Sequence, residues 1–398
     1  VDCGITGKNA ISYGQEKGLE FIVTDHHTVQ EEKVPDDVPI MHTYELCGAG
    51  IAWVLSLLLK QDILEADISD GKIFNSGLDL VALATLADIQ SLVGYNRVLV
   101  KEGLRLLSDT QRVGLQALYK EAGIEKKSIG TYEVGWVIGP RINAMGRLEH
   151  ALDSLRLLCT TNISQANDLA KLMGDTNSSR QEMTQSAIDL AVDLVTNNGW
   201  QNDLILVVYD ESWHEGILGL IAGKLVERFG VPVVALGPGD GLLKGSARSV
   251  SGFNIAQALK QNEDLLIDTG GHEMAAGLSM EEKNVNPLRE KLQENAADAF
   301  QGEKPQKVLK IDSQLSPQLL NMETVKAIET LAPHGVGNPR PVFMISNAVI
   351  MSKKIIGKSG NHLKLDIGFV DSNGQKIEAV AFNFGEVHDE LDLGSSVD

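Results

Sequence analysis

The sequence predicts an α/β protein with two α/β domains, a long helix joining them and a small β-barrel after them. Three observations favour this class. The apolar run Leu19–Asp25 lies between helical patterns, as a parallel strand does. A second alternation of strands and helices starts at Leu204, and only short strand candidates follow Val308. A chain of 398 residues with 43% hydrophobic residues is long and apolar enough for several packed domains.

The first α/β domain is predicted to span residues 1–158. Its strand Leu19–Asp25 ends in a carboxylate, and Ala52–Lys60 and Gly77–Ala87 are helix candidates, the second ending at Asp88. Because α/β domains bind ligands at the carboxyl ends of their strands, we expect the functional site there.

A polar helical segment is predicted to join the two α/β domains over residues 159–199. Its helical pattern runs from Gln165 to Gly199, with an interruption near Asn177. Its length and weak amphipathicity are typical of a connecting helix.

The second α/β domain is predicted over residues 200–302, and the barrel over 303–398. The elements expected in them are strand Leu204–Tyr209, helix Gly216–Phe229, strand Val231–Leu236, strand Gly241–Val250, a helix from Asn254, and the barrel strands Pro341–Val349, His362–Phe369 and Lys376–Phe382. Gly230 is expected to end the first of these helices. The chain stops without an obvious closing strand, so the barrel is expected to continue beyond it.

Composition restricts the class of protein. The net charge of −19 disfavours nucleic-acid binding by the whole surface, although divalent cations or a local basic groove can supply positive charge. No run of about 18 apolar residues is present, so we expect no membrane span. Three widely spaced cysteines indicate a reducing compartment, the cytoplasm. The first residue is Val1 rather than Met, which predicts a truncated or processed chain.

The triplet Asp25-His26-His27 at the end of the first predicted strand is a candidate metal site. Imidazole nitrogens bind divalent metals, and a carboxylate adds charge or orients a ring. The alternative is a solvated strand-to-loop turn. Asp2, one strand upstream, and Asp88, after a long apolar helix, add two further carboxylates, although Asp88 could simply be a helix end that reaches solvent. Together these residues favour a two-metal site that cleaves phosphoesters.

A series of ordered motifs over nearly the whole chain resembles the DHH phosphoesterase family, and within it the exonucleases specific for single-stranded DNA. These motifs are VDCGIT (1–6), VTDHH (23–27), GAGIAW (48–53), ATLAD (84–88), GPRINAMGRL (139–148), LKGSARS (243–249), GGHEMAAG (270–277) and GVGNPRP (335–341). The two α/β domains then correspond to a DHH domain and a DHH-associated domain.

The resemblance implies a role for each residue of the metal site. Asp2 would bridge two Mn²⁺ or Mg²⁺ ions, and His26 and Asp88 would be further ligands. Asp25 would orient His26, and His27 would face the scissile phosphate. Family members also carry an earlier Asp-rich motif that does not precede Asp2, so we expect an incomplete metal site in this chain and possible loss of its activity.

Substrate-binding residues are expected in three places. Ser246 and Arg248 lie two apart on a strand and could grip a phosphate, which the resemblance identifies as a terminal 5′-phosphate. The alternative for Arg248 is a surface ion pair. Gly271 and His272 would approach the ligand closely, unless they form only a tight turn.

A third motif, after a turn at Gly139-Pro140, places Arg141, Asn143 and Arg147 where they could contact the DNA backbone. Asn143 could instead cap the next helix.

Five residues give the barrel a local positive charge that suits binding of single-stranded DNA on an OB-like barrel. They are Lys353, Lys354, Lys358, His362 and Lys364. The alternative is a solvated, lysine-bearing edge strand that discourages further strand pairing.

The favoured function is 5′-to-3′ hydrolysis of single-stranded DNA in repair and recombination. By the same resemblance, a single-strand-binding protein and a helicase are candidate partners. The alternatives are a DHH-family phosphodiesterase that acts on oligoribonucleotides or cyclic dinucleotides, and a non-catalytic member of the fold that binds DNA.

Overall fold

The computed structural model describes residues 1–125, 129–357, 360–369 and 376–397. The chain divides into two compact units: Val1–Leu104 with Leu309–Asp398, and Arg105–Val308. The domain boundaries given above remain predictions. Among the described residues, no helix combines the length and the apolar character needed to cross a membrane.

The chain contains both helices and strands, as the predicted α/β class requires, with a run of helices between the first two strands and the third. The helices are α1 (Lys8–Glu16), α2 (Gly48–Leu64), α3 (Gly71–Phe74), α4 (Leu78–Ala87), α5 (Gly94–Ser108), α6 (Val113–Glu121), α7 (Gly139–Leu148), α8 (Ala151–Cys159), α9 (Ile163–Asn197), α10 (Leu218–Phe229), α11 (Ile255–Lys260), α12 (Val285–Phe300) and α13 (Met322–Glu329). The strands are β1 (Val23–Asp25), β2 (Ile40–His42), β3 (Leu206–Tyr209), β4 (Val233–Pro238), β5 (Leu243–Arg248), β6 (Asp268–His272), β7 (Ala275–Met280), β8 (Ser313–Gln314), β9 (Phe343–Met344), β10 (Ala348–Ile356), β11 (His362–Phe369), β12 (Lys376–Ala381) and β13 (Ser396–Val397).

In the first unit, β1 pairs in parallel with β2, so that Asp25 lies opposite His42. The strand is shorter than the predicted Leu19–Asp25, because pairing with β2 covers only its last three residues. The apolar helix α4 is buried on most sides, as its composition predicts, and it ends at Asp88. Helix α5 approaches it so closely that a Cβ at Gly103 would lie 2.4 Å from Cβ of Ala82.

The C-terminal part of the same unit is a curled antiparallel sheet in the order β12-β11-β10-β13, as expected for an OB-like half-barrel. The predictions for β11 and β12 are confirmed. The predicted strand Pro341–Val349 is wrong. It is split into β9, which pairs with β8, and the start of β10, because Asn347 adopts a positive φ of 59° between them.

The second unit contains a five-stranded sheet in the order β3-β4-β5-β7-β6. Only β3 and β4 are parallel. Alternate residues of β4 enter opposite cores: Val234 and Leu236 pack on one face, and Val233 and Ala235 on the other. Both faces are therefore buried, which explains the continuous apolar run in the sequence.

The long predicted helix is present as α9, but the interruption near Asn177 is absent. Asn177 is buried within the helix, where its side-chain oxygen accepts a hydrogen bond from Arg180 at 3.0 Å. Because this polar group is satisfied inside the helix, it does not break it.

Candidate metal centre and phosphate-binding pocket

Two carboxylates of the first unit converge on one nitrogen of the His26 ring. His26 Nε2 lies 3.0 Å from Asp2 Oδ1 and 3.7 Å from Asp88 Oδ2. The His26 side chain is 9% exposed, whereas the Asp2 and Asp88 side chains are 58% and 46% exposed. The two carboxylates therefore face solvent from either side of a nearly buried ring.

Local backbone structure delivers each of these groups. The Asp2 amide donates to the Thr24 carbonyl at 2.7 Å, which holds the N-terminal segment against β1. His26 follows directly after β1, and Asp88 is the residue at which α4 ends. Three elements far apart in sequence thus contribute one side chain each.

Helix α2 adds a close contact at Asp2. A Cβ at Gly48, its first residue, would lie only 2.1 Å from Asp2 Oδ1. The position therefore requires glycine. It also brings the helix N-terminus, where backbone N–H groups favour a carboxylate, next to Asp2.

Asp25 does not contact the ring of His26, so the expectation that it orients His26 is wrong. Its carboxylate lies 2.7 Å from His27 Nδ1 and accepts hydrogen bonds from the backbone amides of Ile5 and His26, at 2.9 and 2.8 Å. Burial raises the pKa of Asp25, but these hydrogen bonds outweigh it and hold the pKa at about 2. Asp25 is therefore an ionised anchor for His27.

The ring of His27 is oriented by this anchor and remains 56% exposed. The hydrogen bond to Asp25 raises the pKa of His27, burial opposes it, and the negative charges of Asp25, Asp2 and Asp88 add to the increase. Ligand atoms of Asp2, His26 and His27 lie within 4.8 Å of one another.

Gln90 is a residue of this centre that the sequence did not identify. Its side-chain nitrogen donates to Asp88 Oδ2 at 2.8 Å and lies 3.3 Å from His26 Nδ1. It thereby occupies Nδ1 of His26 and leaves Nε2 to face the carboxylates. Its only signal in the sequence is its position two residues after Asp88.

The residues present fit a divalent cation. Two carboxylates and one imidazole nitrogen form a donor set suited to Mn²⁺ or Mg²⁺. Within the part of the chain that the structure describes, no Lys or Arg pairs with Asp2 or Asp88. A bound cation would neutralise the charge that these carboxylates leave unbalanced.

A separate pocket of about 680 Å³ lies in the second unit. Ser246, Arg248 and Arg147 line it together with the first turn of α10. Arg248 donates to Ser246 Oγ at 3.0 Å, as expected for side chains two apart on one strand face. Gly219 leaves room for this guanidinium, because a Cβ there would lie 2.8 Å from Arg248 Nη2.

The lining of this pocket contains Arg147, Lys244 and Arg248 together with the acidic Glu215 and Asp268. Burial, with the positive charge of Arg147, lowers the pKa of the Arg248 guanidinium, and the same two causes act on the pKa of Arg180 of α9. The Nε of Arg180 is buried and has no hydrogen-bond partner among the described residues. Guanidinium groups that repel one another favour an anion between them. Arg180 was not identified from the sequence, because it lies in the polar connecting helix.

Two other predicted substrate residues have different surroundings. Gly139-Pro140 does not form a turn but begins helix α7, which follows a π-helical segment at Glu133–Ile138. Arg141 is paired with Glu121 at 2.8 Å. Asn143 is exposed in the middle of α7, so it does not cap the next helix, whose N-cap is His150.

Gly271 and His272 lie at the exposed end of the β6–β7 hairpin, whereas their neighbour Gly270 lines the pocket. Gly271 has a φ of 153°, and a Cβ there would lie 2.3 Å from the Ala275 carbonyl. The close approach is therefore between two strands, as in the tight-turn alternative.

Lys353 and Lys354 lie on β10, and Lys364 lies on β11. At Lys353 and Lys354, β10 pairs with β11 alone, because β13 pairs only with Ala348 and Val349, so the alternative of a lysine-bearing sheet edge stays open there. Lys353 donates to the carbonyls of His388 and Leu391, and Lys364 pairs with Glu378. Lys354 lies opposite Lys364 in the sheet and is exposed.

Two further predicted barrel residues differ in what can be said of them. His362 accepts from the Asn383 amide at 3.1 Å and packs edge-on against Phe382. Lys358 lies outside the described residues.

Comparison with known proteins gives three family matches: the N-terminal domain of the DHH family at residues 1–85, the DHHA1 domain at 202–298 and the RecJ OB domain at 311–398. The "Single-stranded-DNA-specific exonuclease RecJ" of Bacillus subtilis is 33% identical over 408 residues, covering 100% of this chain and 50% of that protein. The protein of the same name from Haemophilus influenzae is 31% identical, covering 96% of this chain and 70% of its own length.

The crystal structure of RecJ from Thermus thermophilus in complex with Mn²⁺ superposes with a TM-score of 0.81 at 28% identity. The superposition covers 96% of this chain and 60% of the T. thermophilus chain. The chain thus spans about half the length of the B. subtilis relative and somewhat more of the other two. Sequence identity above 30% over most of the H. influenzae protein, together with the three domain matches in order, shows that this chain belongs to the RecJ family.

Proposed function

We propose that this chain is a divalent-metal-dependent exonuclease that hydrolyses single-stranded DNA in the 5′-to-3′ direction, in DNA repair and recombination. The observation that carries the proposal is the convergence of Asp2 and Asp88 on Nε2 of His26. The names of the B. subtilis and H. influenzae relatives support the substrate, and the Mn²⁺ complex of the T. thermophilus protein supports the metal.

Asp2, His26 and Asp88 would hold the divalent metal, for which we propose two ions, and Asp2 is the most exposed of these three side chains. A bound Mn²⁺ or Mg²⁺ would activate water and neutralise charge on the phosphoryl oxygens. Gln90 would keep the His26 ring in place from the opposite side.

His27 would contact the scissile phosphate. Because Asp25 occupies Nδ1 of His27, Nε2 is the ring nitrogen left for a ligand. The raised pKa of His27 favours the protonated ring, in which Nε2 also carries a hydrogen and would donate it to a phosphoryl oxygen, stabilising the charge there. The buried Asp25 would act by fixing the ring rather than by touching the substrate.

The pocket of the second unit would hold the terminal 5′-phosphate, which would set the direction of digestion. Ser246 and Arg248 offer a hydroxyl and a guanidinium from one strand face, and Arg147 adds a second cation. A terminal phosphate carries more negative charge than an internal phosphodiester, so a site with several arginines favours the end of a strand. Arg141, Asn143, Gly271 and His272 stay candidates for contacts with the rest of the strand.

Exposed Lys354 is the barrel residue best placed to contact the DNA backbone, because Lys353 and Lys364 already have partners. A helicase and a single-strand-binding protein would supply and hold the strand. Both partners are proposed by family alone.

The function is tested by digestion of 5′-phosphorylated DNA labelled at its 3′ end, with Mn²⁺ and the full-length protein. We expect stepwise shortening of the single strand, no shortening of blunt duplex, and loss of activity in Asp88→Ala. The matched control is Asp392→Ala at an exposed position of the C-terminal part of the same unit. Intact single strand, with folded and metal-bound protein, would overturn the proposal.

The same assay separates the alternatives. A phosphodiesterase for small substrates would cleave dinucleotides or cyclic dinucleotides and leave a long single strand intact. A non-catalytic member of the fold would bind the strand without shortening it.

A further inference from the structure

The loop that leaves α4 carries two groups of the candidate metal centre, Asp88 and Gln90. The conformation of this loop depends on contacts with residues distant in sequence. Ile89 within it has a positive φ of 56°, which is unusual for a β-branched residue and requires surrounding contacts to maintain.

The far end of this loop is attached to the segment Leu331–Asn338, hereafter the clamp, from the C-terminal part of the same unit. The Leu92 amide donates to the Val336 carbonyl at 2.7 Å, and the Leu92 side chain is 1% exposed. Five residues further along, Arg97 donates to the Leu331 carbonyl at 2.9 Å.

Two glycines let the clamp approach this closely. A Cβ at Gly337, where φ is 75°, would lie 2.1 Å from Ser91 Oγ. A Cβ at Gly335 would lie 2.7 Å from Leu92 Cδ1. A side chain at Gly337 would push the loop away from the clamp, whereas one at Gly335 would displace the end of the Leu92 side chain.

The clamp is itself a closed turn. Gly335 and Asn338 exchange backbone hydrogen bonds at 2.9 and 3.1 Å. The Asn338 side chain donates to the carbonyls of Leu331 and Pro333 at 2.9 and 2.8 Å. A rigid turn can fix the position of the loop that it touches.

We propose that the clamp is a positioning element of the metal centre: it fixes Ser91 and Leu92, and through them Asp88 and Gln90. The C-terminal part of the chain then determines metal affinity as well as contributing a DNA-binding sheet. This inference rests on the proposed metal centre.

The test compares the Mn²⁺ affinities of the Gly337→Ala and Gly394→Ala variants of the full-length protein. Calorimetry without DNA measures them. Gly394 is the matched control, because its φ is 82° and nothing lies within 4 Å of its Cβ position. We expect Gly337→Ala to weaken Mn²⁺ binding by about tenfold, as changes around metal ligands do, and Gly394→Ala to leave it unchanged.

Rescue makes the test specific. Ser91→Ala removes the atom that an alanine at position 337 would meet at 2.1 Å, so the double variant should regain most of the Mn²⁺ affinity. If Gly337→Ala does not fold, the milder Gly335→Ala, which meets only the end of the Leu92 side chain, is measured in its place.

Unchanged Mn²⁺ affinity in a folded clamp variant would overturn the inference, as would an equal loss in Gly394→Ala. Failure of the unmodified protein to bind Mn²⁺ or to shorten single-stranded DNA would instead overturn the proposed function.

Discussion

Asp2 and Gly48 show how much of the candidate metal centre depends on single atoms. The carboxylate of Asp2 occupies the volume that a side chain at Gly48 would need, and its amide is held by Thr24. The Asp2 side chain is therefore positioned by packing and by its backbone.

Gly48→Ala should therefore displace Asp2 and weaken Mn²⁺ binding by roughly tenfold or more, with little change in the stability of the fold. Calorimetric titration with Mn²⁺ measures this loss of affinity. Gly71→Ala is the control, because Gly71 also begins a helix but has nothing within 4 Å of its Cβ position. Equal affinity in both variants would show that Asp2 is not a ligand.

Arg248→Ala should remove most of the preference for a 5′-phosphorylated end. A hydrogen bond to a charged group contributes about 1.5–3 kcal/mol, so the affinity for a 5′-phosphorylated strand should fall roughly 10- to 100-fold. The affinity for a 5′-hydroxyl strand should change little. Fluorescence anisotropy of the two oligonucleotides in EDTA measures this.

Arg156→Ala, at an exposed arginine paired with Asp153 in the same unit, is the control for that experiment and should keep the preference. If Arg248→Ala weakens the binding of both oligonucleotides equally, the pocket binds the strand without recognising its 5′-phosphate.

At the scale of elements, α9 is packed more tightly than its polar sequence suggests. A Cβ at Gly174 would lie 1.9 Å from a carboxylate oxygen of Glu121, the partner of Arg141. Gly223, in α10, has open space at its Cβ position. Two glycines in helices of one unit thus have opposite surroundings.

Gly223→Ala should stabilise the protein by about 0.5–1 kcal/mol, because alanine has the higher helix propensity. Gly174→Ala should destabilise it despite the same gain in propensity, since Glu121 and Arg141 must move. Urea unfolding measures both. The packing of α9 against α6 would be looser than described if both substitutions were stabilising.

The sequence predicted elements whose signal is local. The end of β1 at Asp25, the end of α4 at Asp88 and the shared face of Ser246 and Arg248 were all readable from short patterns. The interruption of the helix predicted near Asn177 is absent, because Arg180 donates a hydrogen bond to the buried Asn177 side chain. Local patterns do not reveal such tertiary compensation.

Residues that act through distant contacts were missed for the same reason. Gln90 matters because α4 ends next to β1, and Gly48 because α2 starts at Asp2. Gly337 was quoted only as part of a motif, and its role depends on Ser91, more than two hundred positions away. No periodicity connects such positions.

At the scale of the whole molecule, the distribution of charge matters more than its sum. The net charge is −19, yet Arg147 and Arg248 line one pocket, the charge of Arg147 also acts on Arg180, and two carboxylates lie close to one imidazole nitrogen. Cations bound at the carboxylates and an anion bound at the arginines would each neutralise a local excess of charge. An acidic protein can therefore have a phosphate site.

Mn²⁺ should stabilise the whole protein against heat, because it binds the folded state only. At about one hundred times the dissociation constant, the free energy of unfolding rises by about 2.7 kcal/mol. Calorimetric scans should show a higher melting temperature with Mn²⁺ than with EDTA for the unmodified protein, but no such difference for His26→Ala. His388→Ala is the control and should keep the difference, because the His388 ring pairs with Asp389 and not with a residue of the centre. Equal shifts in all three would place the metal elsewhere.

We propose that Asp2, His26 and Asp88 hold the divalent metal of this chain. An anomalous difference map of crystals of the full-length protein grown with Mn²⁺ tests this. We expect a peak within bonding distance of His26 Nε2 and of carboxylate oxygens of Asp2 and Asp88. A map with manganese bound only at other residues would contradict it.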